Sequence, residues 1–114
     1  MSTYLHGETK LHYLVVENDY NAVKELILAG ESVNSFNKFG HTPLMDCLTL
    51  NNRLMITLLL ESGSNINAID KEGNTPLHHA YINQCPKKII GILIQYGADS
   101  NIKNIYDEFP EEAT

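Results

Sequence analysis

A glycine recurs at 33-residue intervals along this chain, and a threonine follows each of these glycines two positions later. The glycines are Gly7, Gly40 and Gly73, and the threonines are Thr9, Thr42 and Thr75. A fixed period of this length is typical of repeat architectures, in which each repeat is one supersecondary unit that cannot bury its apolar side alone. The chain is therefore predicted to fold as a stack of similar units, each in contact with its neighbours.

Two apolar patterns in each unit have the i, i+3, i+4 spacing of an amphipathic helix. The first pattern consists of Leu11, Leu14, Val15, Leu44, Cys47, Leu48, Leu77, Ala80 and Tyr81. The second consists of Ala22, Val23, Leu26, Ile27, Met55, Ile56, Leu59, Leu60, Ile89, Ile90, Leu93 and Ile94. These patterns predict two antiparallel helices in each unit, and hence an all-α fold.

Capping residues mark the ends of these helices. Thr42 and Thr75 are placed as N-caps, and Pro43 and Pro76 follow at the first helical position, where no hydrogen-bond donor is lost. A glycine after each second helix suits the left-handed conformation that ends a helix. These closing glycines are Gly30, Gly63 and Gly97. The sequence therefore specifies where the helices start and stop.

The third unit contains one extra residue. The interval between closing glycines is 33 residues from Gly30 to Gly63 but 34 residues from Gly63 to Gly97. The extra residue falls within residues 83–86, in the turn between the two helices, where insertions are tolerated. Pro86 is predicted to start the second helix of this unit.

Composition and charge restrict the possible functions. With 114 residues, of which 43% are hydrophobic and 19% charged, the chain fits one globular domain. A net charge of −6 repels phosphate groups, which argues against a nucleic-acid or anionic-membrane partner. Residues 1–10 lack the apolar stretch of a signal peptide, and Cys47 and Cys85 are expected to be reduced thiols. These features predict a soluble, cytoplasmic protein.

The segments HTPLMDCL (41–48) and NTPLHHAY (74–81), together with LLLESGSNINAIDKEGNTPLH (58–78), resemble the ankyrin repeat. The resemblance implies an ankyrin-repeat solenoid of helix-turn-helix units with hairpin-like loops, forming a single domain over residues 1–114. The repeats would span about 7–38, 39–71 and 72–104, with a partial fourth repeat or cap at 105–114. The first unit has Lys10 in place of the proline, and its irregular, polar character suits an end cap.

The asparagine and isoleucine content, and the style of the segment TPLHHAYINQCPKKIIGILIQYGADSNIKN (75–104), are similar to poxvirus ankyrin proteins. The same composition fits the AT-rich genome of an intracellular bacterium or a protist. If the chain is viral, the resemblance implies host–virus interaction and a location in the host cytoplasm or nucleus.

Adjacent His78 and His79, with Cys85 nearby, could suggest a metal site, but zinc sites need three or four ligands at workable spacing. His78 stands at the TPLH position of the family, where the imidazole is expected to bond to the backbone of the neighbouring unit, and His12 is its equivalent. Met45 replaces this histidine in the second unit, so that bond should be missing there. We therefore predict no metal site and no cofactor.

Asp46 and His41 near Cys47 could also be taken for a nucleophile with its base. Cys47 lies on the apolar stripe of its helix, so it should be buried and inert. No glycine-rich phosphate loop accompanies it. The carboxylates Glu111 and Glu112 follow Pro110 and are expected to lie in the first turn of a helix, near its positive end. The chain is therefore not expected to be an enzyme.

The resemblance also implies which positions contact a partner: those around the loop glycine and late in the first helix of each unit. In the second and third units these are Lys38, Phe39, His41, Thr49, Leu50, Lys71, Glu72, Asn74, Ile82 and Asn83. In the first unit they are Leu5, His6, Glu8, Val16 and Glu17. Phe39 and Leu50 are the strongest candidates, because a large apolar side chain facing solvent suits a hot spot, although either could instead pack over the neighbouring unit.

The predicted function is protein–protein interaction, as a rigid adaptor or inhibitor of a protein partner, and an IκB-like inhibitor of a host signalling protein if the chain is viral. The alternative is a self-associating structural unit or a fragment of a longer ankyrin protein. The outer side of the last helix pair would be covered by Ile102, Ile105 and Phe109 alone. The chain is therefore expected to be a monomer or a weak homodimer through its carboxy-terminal end.

Overall fold

The computed structural model describes residues 7–114, which form six α-helices, one 3₁₀ turn and no β-strand. The helices are α1 (Lys10–Val16), α2 (Tyr20–Leu28), α3 (Pro43–Cys47), α4 (Arg53–Glu61), α5 (Pro76–Ile82) and α6 (Lys87–Gln95), and the 3₁₀ turn is Pro110–Glu112. The predicted all-α fold with two helices per unit is confirmed. Within residues 7–114, no helix has the length and apolar character that crossing a membrane requires.

The helices begin at the predicted caps. The hydroxyl oxygen of Thr42 accepts a hydrogen bond from the backbone N–H of Met45 at 3.3 Å, and Thr75 accepts from that of His78 at 3.3 Å. Each bond satisfies one of the free amides of a helix start. Pro86 differs from the prediction by one position: it is the N-cap of α6, with no side-chain acceptor to offer, and the helix begins at Lys87.

The closing glycines are left-handed as predicted, and three further left-handed residues locate the insertion. Asn18, Asn51 and Gln84, with φ of 60°, 54° and 55°, each follow the first helix of a unit. The second helix begins two residues later in the first two units but three residues later in the third. The extra residue is accommodated around Cys85, which is buried and whose thiol donates to the carbonyl of Leu48 in the preceding unit at 3.2 Å.

The core runs through the stack between the helix layers. The first helices form one row, α1 against α3 and α3 against α5, while α2 packs on α4. The fully buried leucine and isoleucine side chains come from every unit: Leu11, Leu44, Leu48, Ile56, Leu59, Leu77, Ile89 and Leu93. The hydrophobic cluster is therefore continuous across the units rather than confined to any one of them.

The residues that cover the outer side of the last helix pair differ from the expected Ile102, Ile105 and Phe109. Ile105 is 66% exposed, whereas Ile102 and Phe109 are half-buried. Pro110 and Ala113 are buried instead, because the 3₁₀ turn packs against α5. Glu112 also caps this turn, since its carboxylate accepts from the backbone N–H of Phe109 at 2.8 Å.

Two histidines fasten neighbouring units together, as predicted. The His12 Nε2 bonds to the carbonyl oxygen of His41 at 2.7 Å, and the His78 Nε2 bonds to that of Glu108 at 2.9 Å. The backbone N–H of Thr75 donates to His78 Nδ1 at 3.0 Å, so Nε2 carries the proton that Glu108 accepts. The Met45 side chain has no N–H to donate to the next unit, so this bond is missing at the junction of the second and third units.

We expect the Met45→His substitution to raise the free energy of unfolding by about 1 kcal/mol, the typical net contribution of one hydrogen bond. The carbonyl of Asn74, in the place equivalent to that of His41, accepts from the backbone N–H of Asp70 at 3.0 Å. The carbonyl of His41 accepts from the backbone N–H of Asn37 in the same way and also bonds to the His12 imidazole. A carbonyl at this place can therefore accept both hydrogen bonds, and the Asn74 carbonyl is the expected acceptor for a histidine at position 45. Urea denaturation of both proteins measures the change.

Met45→Leu is the control, since it keeps the apolar volume and adds no donor. It also removes the Met45 Sδ, which accepts from the backbone N–H of Thr42 at 3.4 Å, and it should cost less than about 1.5 kcal/mol, the range of volume-conserving substitutions. A histidine variant no more stable than the leucine variant would show that the missing bond does not limit this junction.

Candidate functional site

Four of the contact residues predicted in the second unit line a pocket of about 350 Å³: Lys38, Phe39, His41 and Thr49. Glu8, Val16, Asn37 and Asp46 complete its walls. The loop before α3 and the first helices of two neighbouring units bring these side chains together. Of the positions carried over in the first unit, Glu8 and Val16 line this pocket and Glu17 is exposed, while Leu5 and His6 lie outside the described residues.

The remaining contact residues predicted in the second and third units are exposed or half-buried, with one exception. Leu50, Lys71, Glu72 and Ile82 are exposed, and Asn83 is half-buried. The exception is Asn74, which was expected to face solvent and does not.

Asn74 is only 5% exposed, because the loop that follows the third unit covers it. Its side-chain oxygen accepts from Asn104 Nδ2 at 2.9 Å. The expectation that this side chain is available to a partner is therefore corrected: it holds two loops together.

The pocket has an apolar rim. Phe39 is 54% exposed and Val16 is 50% exposed. The Lys38 Nζ lies 5.1 Å from the centroid of the Phe39 ring, and the His41 ring lies 5.8 Å from it. Phe39 does not pack back over the neighbouring unit, so its ring is presented at the mouth of the pocket.

Two carboxylates, Glu8 and Asp46, lie among the residues that line the pocket, and Asn37 bonds to both. The Asn37 Nδ2 donates to Glu8 Oε1 and to Asp46 Oδ2, both at 3.2 Å. The Asn37 Oδ1 accepts from the backbone N–H groups of Phe39 and His41 at 3.0 Å. Glu8 Oε2 is buried and has no hydrogen-bond partner.

Two pairs of histidine and aspartate extend the hydrogen-bonded polar side chains from the pocket into the third unit. The His41 Nδ1 lies 3.1 Å from Asp46 Oδ1, and this hydrogen bond raises the pKa of His41 against the effect of its partial burial. The His79 Nε2 lies 2.8 Å from Asp70 Oδ2. Burial lowers the pKa of His79, and the hydrogen bond to Asp70 opposes that shift.

The structure tests the two arrangements that the sequence offered for chemistry, the first of which is a Cys47 nucleophile beside Asp46 and His41. Asp46 and His41 do meet, but Cys47 is fully buried, and burial raises the pKa of its thiol to about 12. It is inert as predicted, since a thiol with this pKa is not a nucleophile at neutral pH. Cys47 and Cys85 are both free thiols.

His78, His79 and Cys85 are not brought together. His78 bonds to the next unit, Cys85 bonds to the preceding one, and His79 faces Asp70. The sequence interpretation missed Asp70 and Asn37 as members of the site. Their signal was available, because they occupy the same place in consecutive units, 33 residues apart.

A family model described as "Ankyrin repeats (3 copies)" matches residues 11–104. Because this match covers most of the chain, the chain belongs to the ankyrin-repeat family, and the resemblance found in the sequence is confirmed. Ankyrin repeats are protein-interaction modules, and their fold is a non-enzymatic scaffold.

Ankyrin repeat protein OPG189 of Variola virus is 35% identical over 103 residues, which make up 90% of this chain and 18% of that protein. The chain is thus similar to a poxvirus ankyrin protein, as predicted, and spans less than a fifth of its length. Mitochondrial disaggregase of Bos taurus is 50% identical over 38 residues, covering 33% of this chain and 6% of that protein.

Among solved structures, the ankyrin repeat domain of Bcl-3, described as a unique member of the IkappaB protein family, superposes with a TM-score of 0.87. It is 30% identical, and the alignment covers 95% of this chain and 47% of that one. This likeness confirms the ankyrin solenoid.

Proposed function

We propose that this chain is a rigid adaptor or inhibitor that binds a protein partner in the pocket between its first two units. The observation that carries the proposal is the gathering of Lys38, Phe39, His41 and Thr49, each placed by family resemblance at a contact position, around one pocket. An exposed aromatic ring beside a partly desolvated cleft has the character of an interface hot spot. The stack is formed before binding, so little ordering entropy is lost.

The partner side chain that suits this pocket is an arginine or lysine. Its apolar stem would lie against Phe39 and Val16, and its charged end would reach Glu8 and Asp46. Glu8 and Asp46 are the carboxylates among the residues that line the pocket, so a guanidinium or ammonium group would gain charge-assisted hydrogen bonds there. The net charge of −6 would attract such a partner at long range. Lys38 stands at the rim and would favour partners that place an acidic residue beside the basic one.

Two of the similar proteins refine the proposal. OPG189 is a viral ankyrin protein, and Bcl-3 is described as a member of the IkappaB family. Together they support an IκB-like inhibitor of a host signalling protein. We further propose that it acts in the host cytoplasm or nucleus.

Affinity capture from host lysate, followed by isothermal titration with the identified partner, tests the binding surface. We expect Phe39→Glu to weaken the partner's affinity by about 30-fold or more, the loss of a hot-spot residue. Phe36→Glu is the matched control, because Phe36 is 56% exposed against 54% for Phe39 but does not line the pocket. Glu8→Gln, which removes the charge with little change of shape, should weaken binding and reduce its dependence on salt.

Equal affinity of the wild type and Phe39→Glu would place the interface elsewhere. A loss of affinity with Phe39→Glu but none with Glu8→Gln would support the binding surface and contradict an arginine or lysine of the partner in the pocket.

Self-association at the carboxy-terminal end is a second candidate, favoured by Ile94 and Ile105, which are 51% and 66% exposed. Light scattering would show a concentration-dependent dimer that Ile105→Asp abolishes. A strictly monomeric wild type at high concentration contradicts this candidate.

A further inference from the structure

Three side chains of the second and third units bring ligand atoms together at the far side of the pocket. The His41 Nε2 lies 3.6 Å from Asp70 Oδ2, and the His79 Nε2 lies 2.8 Å from the same oxygen. All three atoms lie within 4.8 Å of one another. The two imidazole rings meet edge to face, with centroids 4.9 Å apart.

Asp70 is fixed so that one carboxylate oxygen faces both imidazoles. Its side chain is 2% exposed. Its Oδ1 accepts from the backbone N–H groups of Glu72 at 2.8 Å and Asn74 at 2.9 Å. Oδ2 is therefore held in place and directed toward His41 and His79 by the loop itself.

His41 is oriented by a second carboxylate. Its Nδ1 lies 3.1 Å from Asp46 Oδ1, and in the neutral tautomer that donates this proton, Nε2 presents a lone pair toward Asp70 and His79. A carboxylate that accepts from the remote ring nitrogen is the usual outer partner of a metal-bound histidine. This bond is independent of the three-atom cluster and directs the same nitrogen into it.

We propose that His41 Nε2, Asp70 Oδ2 and His79 Nε2 bind a divalent transition-metal ion, with Zn²⁺ as the best match. Tetrahedral zinc bonds of about 2.0–2.1 Å place ligand atoms about 3.3 Å apart. The two separations that involve Asp70 Oδ2, 2.8 and 3.6 Å, bracket that value, and the ligand atoms of the two imidazoles lie within 4.8 Å of each other. Two imidazoles and one carboxylate select zinc, copper or nickel over magnesium or calcium. Water completes the fourth position, reached from the side of His41, which is 28% exposed.

Binding changes the tautomer of the His79 imidazole and releases no net proton. In the metal-free protein the His79 Nε2 donates its proton to Asp70. The ion takes that position, so this proton leaves to solvent and the same ring is protonated at Nδ1 by solvent exchange. The ring stays neutral, and the ion's charge is partly balanced by Asp70 and the nearby Asp46.

The ion would fasten the junction that lacks an imidazole bond. His41 and Asp70 belong to the second unit and His79 to the third, where Met45 leaves no histidine contact. A metal bridge there would replace by coordination what His12 and His78 provide at the flanking junctions.

Titration of the metal-free protein with zinc chloride or cobalt chloride tests the site. We expect one equivalent of either ion to bind, a rise of the unfolding temperature with ion concentration, and a cobalt spectrum of tetrahedral nitrogen and oxygen ligation. Magnesium chloride should produce no rise. Asp46→Asn should weaken binding by about 10- to 100-fold, the effect of losing an outer partner.

The chain itself supplies substitutions that its fold tolerates. Asn37 and Asn104 occupy the place of Asp70 in the neighbouring units, and Asn74 occupies that of His41. Asp70→Asn and His41→Asn should therefore keep the fold, checked by circular dichroism, and lose the bound equivalent. No binding by the wild type at millimolar zinc, or unchanged binding by either variant, overturns the proposal. A thiolate-to-cobalt charge-transfer band would assign the ion to cysteine and overturn it equally.

Discussion

Leu59→Ala is expected to lower the free energy of unfolding by about 2 to 5 kcal/mol, the range for truncating a buried leucine. Leu59 has no solvent-exposed surface and lies in α4, inside the cluster that joins the units. Truncation leaves a cavity in the middle of the stack, where packing from both sides limits collapse. Single domains of this size have about 5 to 15 kcal/mol of stability in total, so the variant should unfold at much lower urea concentration.

Leu54→Ala is the matched control for this prediction. Leu54 lies in the same helix and is 71% exposed, so its truncation should change stability by no more than about 0.5 kcal/mol. Urea denaturation followed by circular dichroism measures both. Similar losses for the two variants would mean that α4 does not present Leu59 to the core.

Gly73→Ala is expected to cost about 2 to 5 kcal/mol, from two separate causes. Gly73 has φ of +75°, and a residue with a side chain in this left-handed region loses about 1–2 kcal/mol. Its Cβ would also lie 3.1 Å from the backbone nitrogen of Ile105 and 3.2 Å from Asn104 Cα. Backbone atoms cannot swing aside as a side chain can, so the next loop must shift, with an overpacking cost of about 1–3 kcal/mol.

Gly63→Ala separates the two causes. Gly63 has φ of +97°, but nothing lies within 4 Å of its Cβ position, so it should lose only the left-handed contribution of about 1–2 kcal/mol. The difference between the two variants, measured by thermal or urea denaturation, reports how closely adjacent loops approach. Equal losses would contradict the close approach at Gly73.

The fold was predictable because its determinants lie within one unit and recur. A threonine cap at Thr42 or Thr75 and the apolar spacing of the following helix need no knowledge of distant residues. The same applies to His12 and His78, whose place in the repeat identifies the bond they make. The one-residue shift at Pro86 runs against the preference of proline for the first helical position, since Pro86 takes the N-cap without forming a side-chain hydrogen bond there.

The candidate site was only partly predictable, because its members hold different places within their units. The spacing of His41, Asp70 and His79 in the sequence does not indicate a cluster. The packing of the third unit against the second, through α3 and α5, brings them together. Asn74 appears equivalent to His41 in sequence, yet the loop carrying Asn104 buries it. Such outcomes depend on which side chains from two units project into the same space, which a repeat period does not specify.

The hydrogen bonds between units also determine how the chain can fold. Across residues 7–114, the long-range hydrogen bonds made by side chains join positions 29 to 37 apart, from His12 with His41 to Cys85 with Leu48. Within these described residues, no hydrogen bond closes a segment much longer than one unit, so the entropy of loop closure stays small and contact order is low. Each unit can dock on its predecessor as soon as it leaves the ribosome, without waiting for a distant partner strand.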